Sequence, residues 1–230
     1  MAAPNLIKLP TQTLPLESGD KLSREEFERR YMAMPHVKKA ELIEGTVYMA
    51  SPLRIDSHGY PHGKMMTWLG VYETATPGLM FGDNATVRLD MDNEVQPDGL
   101  LMIMPGGQAR ISTDGYVEGA PELILEVAAS STSIDMHDKL EAYRRNRVQE
   151  YLVWRVYNKA FDWFRLQDGQ YKQMPANSDG IICSGGFPGL WLDKTALLNE
   201  DFARVLEVLQ QGLAIPEHQA FVEKLSQADR

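Results

Sequence analysis

The sequence predicts a mixed α/β domain with a central sheet, on three observations. Runs 85–90, 100–104, 123–128, 150–156 and 160–166 are short, rich in apolar or β-favouring residues and separated by turn signals. A helical pattern lies between the third and fourth runs, making a strand-helix-strand unit, and no internal period suggests a solenoid or propeller. With 230 residues, 43% of them hydrophobic and 24% charged, the chain is long and apolar enough to bury a full core.

The elements follow in order. Residues 1–19 are polar, unperiodic and interrupted by Pro4, Pro10 and Pro15, which predicts a flexible or draped arm. Ser23 and Glu26 have capping-box spacing, and Phe27, Tyr31 and Met34 form the apolar stripe of a short helix ended by Pro35. Residues 40–49 alternate as a strand or hairpin with Glu44-Gly45 at its turn. Residues 58–73 can hold a helix starting near Pro61, with Met65, Met66, Trp68, Leu69 and Tyr72 on a broad apolar face. After the 123–128 strand, Ser133 can cap a helix with Met136, Leu140, Tyr143 and Arg144 on one face and Asp138, Arg145 and Arg147 more exposed. Near the end, Phe202, Val205, Leu206 and Leu209 mark one amphipathic helix, and Phe221 with Leu225 a second behind Pro216. These faces either dock onto the core or join two copies in a homodimer.

No apolar stretch approaches the roughly 18 residues needed to span a bilayer, and the N-terminus lacks the layout of a signal peptide, so a cytoplasmic protein is expected. Cys183, the only cysteine, excludes an intrachain disulfide and a thiolate zinc cluster. A net charge of −9 argues against coating nucleic acid through bulk electrostatics. The charge is nonetheless segregated: residues 139–172 hold eight Lys or Arg against four acidic residues, so a local basic groove is compatible with the total.

The chemistry centres on Glu126, a lone carboxylate inside an apolar run. An unpaired ionised Glu there would cost several kcal/mol or more, so the group is protonated, salt-bridged or bound to a metal. Asp98 precedes the 100–104 run, and the loop at Pro105-Gly106-Gly107 can bring the two carboxylates to facing points of neighbouring strands. Such oxygen donors suit Mg²⁺ or Mn²⁺, with the Val127 carbonyl as a third ligand. Lys139, 13 residues beyond Glu126, could reach back over the strand end and steady charge developing on a phosphorane-like transition state. Each residue also has an ordinary role: Pro97-Asp98-Gly99 is a common turn signal and a helical Lys is usually solvated. Their conjunction in register is what marks a site.

Glu44 or Glu41 could bind a second ion or orient the attacking water, or either could simply line the polar face of a strand. His58 and His62 are four apart, but Gly59 stands where a zinc protease needs Glu, and Pro61 interrupts the helix. His58 is better read as an auxiliary base or phosphate contact. Phosphate-cradling GxxxxGK[ST], G-x-S-x-G and dinucleotide fingerprints are absent.

These residues carry a resemblance. The stretch 40–45 (AELIEG), Ser51-Pro52, His58, Pro97-Asp98, 121–127 (PELILEV), 138–143 (DKLEAY) and 150–153 (EYLV), in this order, resemble the Uma family of putative restriction endonucleases, within the PD-(D/E)XK nuclease superfamily. The resemblance runs from about 22 to 192 and implies a restriction-endonuclease-like fold over residues 20–192, with a C-terminal helical extension over 193–230. It also implies Asp98 and Glu126 as metal ligands and Lys139 as a displaced catalytic lysine. Position 128, where the compact superfamily motif places Lys, is Ala, so the cation must come from the helix. Gly99 and Ala129-Ser130-Ser131 are further departures from the family's pattern.

The reading is a Mg²⁺-dependent endonuclease hydrolysing DNA phosphodiester bonds, with Arg144, Arg145 and Arg147 contacting backbone phosphates. The rival is a non-catalytic DNA-binding or protein-interaction module that keeps the nuclease fold.

Overall fold

The computed structural model describes residues 13–129 and 131–228. Helix α1 (Arg24–Met32) begins at Ser23, whose Oγ accepts the Glu26 N–H at 3.4 Å, the first half of the expected capping box. Strands β1 (Ala40–Ile43) and β2 (Thr46–Met49) form the expected hairpin, with Glu44 and Gly45 in left-handed backbone at φ 50° and 69°. A π-helical turn, Ile55–Gly59, leads into α2 (Tyr60–Thr74), with Pro61 in the first turn, where its missing N–H is not needed.

Next come β3 (Leu79–Asp83), β4 (Val87–Arg88), β5 (Glu94–Val95), β6 (Gly99–Ile103), β7 (Arg110–Ile111), β8 (Val117–Glu118) and β9 (Leu123–Ala128). The run 85–90 yields only the two residues of β4, because the Leu89 and Asp90 N–H groups turn onto the Asn93 carbonyl. The single helix expected after Ser133 is two, α3 (Thr132–Met136) and α4 (Asp138–Arg145), broken at His137. Ser133 lies inside α3, with Ser131 at the N-cap position. The Tyr151 hydroxyl donates to the Asp135 carbonyl at 3.0 Å, at the place where a continuous helix would bond the Lys139 N–H.

The chain continues through β10 (Glu150–Arg155), β11 (Ala160–Gln167), β12 (Gln170–Gln173), β13 (Ile181–Cys183), β14 (Trp191–Asp193), α5 (Lys194–Leu198), α6 (Phe202–Leu213) and α7 (Pro216–Ala228). The polar edge strand β12 shows no apolar pattern that sequence could have flagged.

The expected mixed central sheet is present, and a second six-stranded sheet accompanies it. The larger has the order β12-β11-β10-β9-β6-β3, with β9 and β10 parallel across α3 and α4 and every other pair antiparallel. The second has the order β2-β1-β5-β4-β8-β7, and β13 and β14 form a small ribbon. On β9 alternate residues enter two different cores: Leu123, Leu125 and Val127 join α2 and the C-terminal helices, while Ile124 and Ala128 face α4 and the second sheet. Both faces are covered, which explains the nearly continuous apolar run. Glu126 has the parity of Ile124 and Ala128 and so faces α4.

Val205, Leu209 and Leu225 pack into the core that holds Trp68 and Trp163, so these faces of α6 and α7 are used within the chain. Of the expected N-terminal arm, residues 1–12 lie outside the described residues. Leu16 is buried with Phe27, Leu42 and Val47, and the Gly19 N–H donates to the Val47 carbonyl. Among the described residues no helix is long and apolar enough to cross a membrane.

An acidic pair, buried Glu94 and half-buried Glu28, joins α1 to the second sheet. Glu28 Oε1 lies 3.0 Å from Arg88 Nε, and Glu94 Oε2 lies 3.5 Å from the same atom. Burial, with Glu28 beside it, pushes the Glu94 carboxyl up to about 8. A carboxyl raised on folding binds its proton more tightly in the native state. Its contribution is complete below about pH 4.5 and gone above about pH 8, so stability should fall as pH rises through this window. Glu94→Gln should flatten that slope in urea unfolding measured from pH 5 to pH 8; an unchanged slope would assign the pH dependence elsewhere.

Candidate active site

Strand alternation and register bring the site together. Gly99 pairs with Leu125 across β6 and β9, which sets Asp98 beside the Glu126-Val127 segment. The Val127 N–H donates to Asp98 Oδ2 at 2.7 Å. On β1, Ala40 and Leu42 enter the small core under α1, so Glu41 between them faces the opposite way, toward α4. The parallel crossover then returns the first turn of α4 over the end of β9 and carries Lys139 into the gap.

Lys139 is the centre of the cluster. Its Nζ lies 2.9 Å from Glu126 Oε1, 3.0 Å from Glu41 Oε1 and 3.7 Å from Asp135 Oδ1. Glu126 Oε1 also accepts from the Tyr143 hydroxyl at 2.8 Å, and Glu41 Oε1 accepts the Gln96 N–H at 2.7 Å. Asp98, Glu126, Asp135 and Lys139 are each no more than 4% exposed, so their charges interact with little screening by water. Burial pushes the Glu126 carboxyl up to about 8, with Lys139 pulling the other way. Burial opposes the Lys139 charge too, but Glu126, Glu41 and Asp135 outweigh it and hold the ammonium well above the usual lysine range. Lys139 thus has a ground-state role in addition to the transition-state role expected from sequence.

His58 bridges to the other half of the site. Its Nδ1 lies 3.0 Å from the Val127 carbonyl, which can only accept, so Nδ1 carries a proton and Nε2 faces Asp98 Oδ1 at 3.5 Å. The Asp98 contact raises the His58 pKa despite burial. Burial pushes Asp98 up, but His58 and the nearby Lys39 charge more than compensate and hold it below the ordinary aspartate value. These residues line an open cavity of about 960 Å³.

The structure therefore brings together Asp98, Glu126, Val127, Lys139 and His58. It does not bring Glu44 to them. Glu44 sits in the β1–β2 turn, where its Oε2 is 2.8 Å from Arg145 Nη1, and Glu41 stands in the place left open between the two. Arg144, Arg145 and Arg147 lie at and beyond the far end of α4 from Lys139. Arg144 pairs with Glu141, Arg145 with Glu44 and Asp90, and none of the three lines the cavity. His58 and His62 stack at 5.6 Å but turn to different carboxylates, Asp98 and Asp83, unlike a shared zinc site. Asp135, Tyr143 and Lys39 were not singled out as site residues from the sequence. The signal for two of them was present: Asp135, Lys139 and Tyr143 recur at intervals of four, the spacing of one helical stripe.

Among the described residues no three His, Cys, Asp or Glu groups stand in a metal-coordinating array, because the carboxylates close around the Lys139 ammonium. The donor types still fit a hard divalent cation: Asp98 and Glu126 both border the cavity, and Tyr143 and Lys139 both engage Glu126 through Oε1 alone.

The Uma2 family model, described as "Putative restriction endonuclease", matches residues 24–195. A solved structure of a putative nuclease belonging to DUF820 from Anabaena variabilis superposes with a TM-score of 0.56 at 12% identity, covering 74% of this chain and 96% of that one. No curated protein matches the chain in sequence. The likeness in fold, the mixed sheets flanked by helices, and a family match over most of the chain agree: this protein belongs to the Uma2 family.

Proposed function

We propose that the chain is a nuclease hydrolysing phosphodiester bonds of DNA with a divalent ion, Mg²⁺ or Mn²⁺, as the family match and the nuclease-like fold support. The observation that carries this reading is the buried pair Asp98 and Glu126, facing one cavity beside a buried ammonium. Asp98 and Glu126, with the Val127 carbonyl, would hold the ion, which when bound polarises a phosphate oxygen and lowers the pKa of a water. Lys139 is assigned to charge that develops on the phosphoryl oxygens, since a fixed cation in a dry site needs no reorganisation as the reaction proceeds. His58, protonated at Nδ1 toward the Val127 carbonyl, has Nε2 as the atom able to take and release a proton. The Val127 carbonyl holds that ring in orientation, and Asp98 favours the protonated imidazole.

A second reading draws on the same cluster. The carboxylates already share a counter-ion in Lys139, which a non-catalytic DNA-binding or interaction module would require for stability.

Two measurements separate them. Mn²⁺ at millimolar concentration should raise the melting temperature of the wild type, because a ligand bound only by the folded state stabilises it, and DNA, offered both as plasmid and as a single strand, should be cleaved. Asp98→Asn should abolish both effects while changing metal-free stability by less than about 1 kcal/mol, since an amide oxygen can still accept the Val127 N–H. A melting shift without cleavage supports the module; a wild type indifferent to Mn²⁺ counts against the metal site.

A further inference from the structure

The cavity mouth carries features that a site for a small anion does not need. Lys38, Lys39 and Arg54 all line it, and among the described residues neither Lys38 nor Arg54 pairs with a carboxylate. Lys39 donates to the Gln96 carbonyl at 2.8 Å. In a chain of net charge −9, cations left free around buried carboxylates call for a polyanion. Arg144 and Arg145, by contrast, are engaged by Glu141, Glu44 and Asp90, and Arg147 lies away from the cavity.

Two large side chains share this cavity with the cations. Tyr157 is 62% exposed and Leu53 is 69% exposed, and both border the cavity. Tyr157 follows β10 by two residues, and β10 runs parallel to β9 with Arg155 opposite Ala128, so the ring stands at the sheet end where Glu126 lies. An exposed aromatic ring in one cavity with unpaired cations is the combination that binds an unpaired strand: the cations track the phosphates and the ring stacks a base. Base faces are covered inside a duplex and free in a single strand. The recessed carboxylates act in the same direction, because a phosphodiester must descend into the cavity to reach them. A flexible strand can do so, whereas a duplex must be distorted first.

We infer that Lys38, Lys39, Arg54, Leu53 and Tyr157 form the substrate mouth and that it takes an unpaired DNA strand, a refinement that rests on the nuclease reading. The rigid duplex is disfavoured there, and the arginines of α4 are not the principal phosphate contacts.

Fluorescence anisotropy in EDTA, where no strand is cut, tests this with a labelled 12-nucleotide DNA strand, its blunt duplex and the RNA strand of the same sequence. The wild type should bind the DNA strand at least fivefold more tightly than the duplex. Tyr157→Ala should lower single-strand affinity by about 5- to 10-fold and Tyr157→Phe should retain it, as expected for a stacking contact. Lys38→Ala and Arg54→Ala should each reduce the slope of log affinity against log salt by about 0.7.

Equal binding of duplex and strand, preference for the RNA, or a Tyr157→Ala variant indistinguishable from wild type would overturn the proposal. So would loss of affinity on replacing Arg144, Arg145 and Arg147 with Ala while the Lys38 and Arg54 variants bind normally. Cleavage of DNA with Mn²⁺, on plasmid and on the single strand, is scored separately. If it persists while any of these outcomes is found, the mouth is misassigned and the nuclease reading stands; if no nucleic acid is bound or cut, both fall.

Discussion

Lys139→Ala is expected to destabilise the metal-free protein by about 3–5 kcal/mol, the range for removing one partner of a buried ion pair. The side chain itself is not the main loss. Its removal leaves Glu126, Glu41 and Asp135 facing one another with little contact with water, and protonation or entry of another cation would relieve them. Mn²⁺ should therefore raise the melting temperature of Lys139→Ala more than that of the wild type, since the ion restores the missing positive charge. Lys139→Arg should keep most of the stability, because charge is preserved. It should cleave DNA poorly, because a forked guanidinium cannot place its charge where a compact ammonium stands. Thermal melts of the three proteins with and without Mn²⁺ decide the matter. A Lys139→Ala variant as stable as wild type would mean that the carboxylates do not depend on this cation.

Glu126→Gln is expected to separate folding from activity in the opposite sense. The amide oxygen can accept from both Lys139 and the Tyr143 hydroxyl, and Lys139 keeps Glu41 and Asp135. The fold should lose no more than about 1–2 kcal/mol. Cleavage should fall more than about 100-fold, because changes merely behind metal ligands cost 10- to 100-fold and this one removes a proposed ligand's charge. The Mn²⁺-induced melting shift should shrink with it. A Glu126→Gln variant that cuts plasmid at the wild-type rate would place the active centre away from β9.

How much of this was legible varied with the range of the interaction. The β1–β2 hairpin, the Ser23 cap, the Pro61 start of α2 and the β9-helix-β10 unit were all readable, because turn chemistry, capping and periodicity act over a few residues. Glu126 announced itself through its apolar neighbours. The short strands β5, β7 and β8 had no such signal, since two-residue strands are defined by their partners rather than by their own composition. The break at His137 depends on the hydroxyl of Tyr151, 14 residues away in sequence, and no local rule contains it.

By itself the sequence determined the α/β class, the strand that carries Glu126, the pairing of that residue with a partner of some kind, and the resemblance to a nuclease family. Each follows from local pattern or from the cost of burying a charge. Only the tertiary structure decided that the partner is Lys139, that Glu41 rather than Glu44 completes its shell, and that the arginines of α4 turn to carboxylates far from the cavity. The physical reason is that charges pair through space. Strand parity settles which face a residue takes, but register and crossover across β1, β9 and α4 settle which charges then meet.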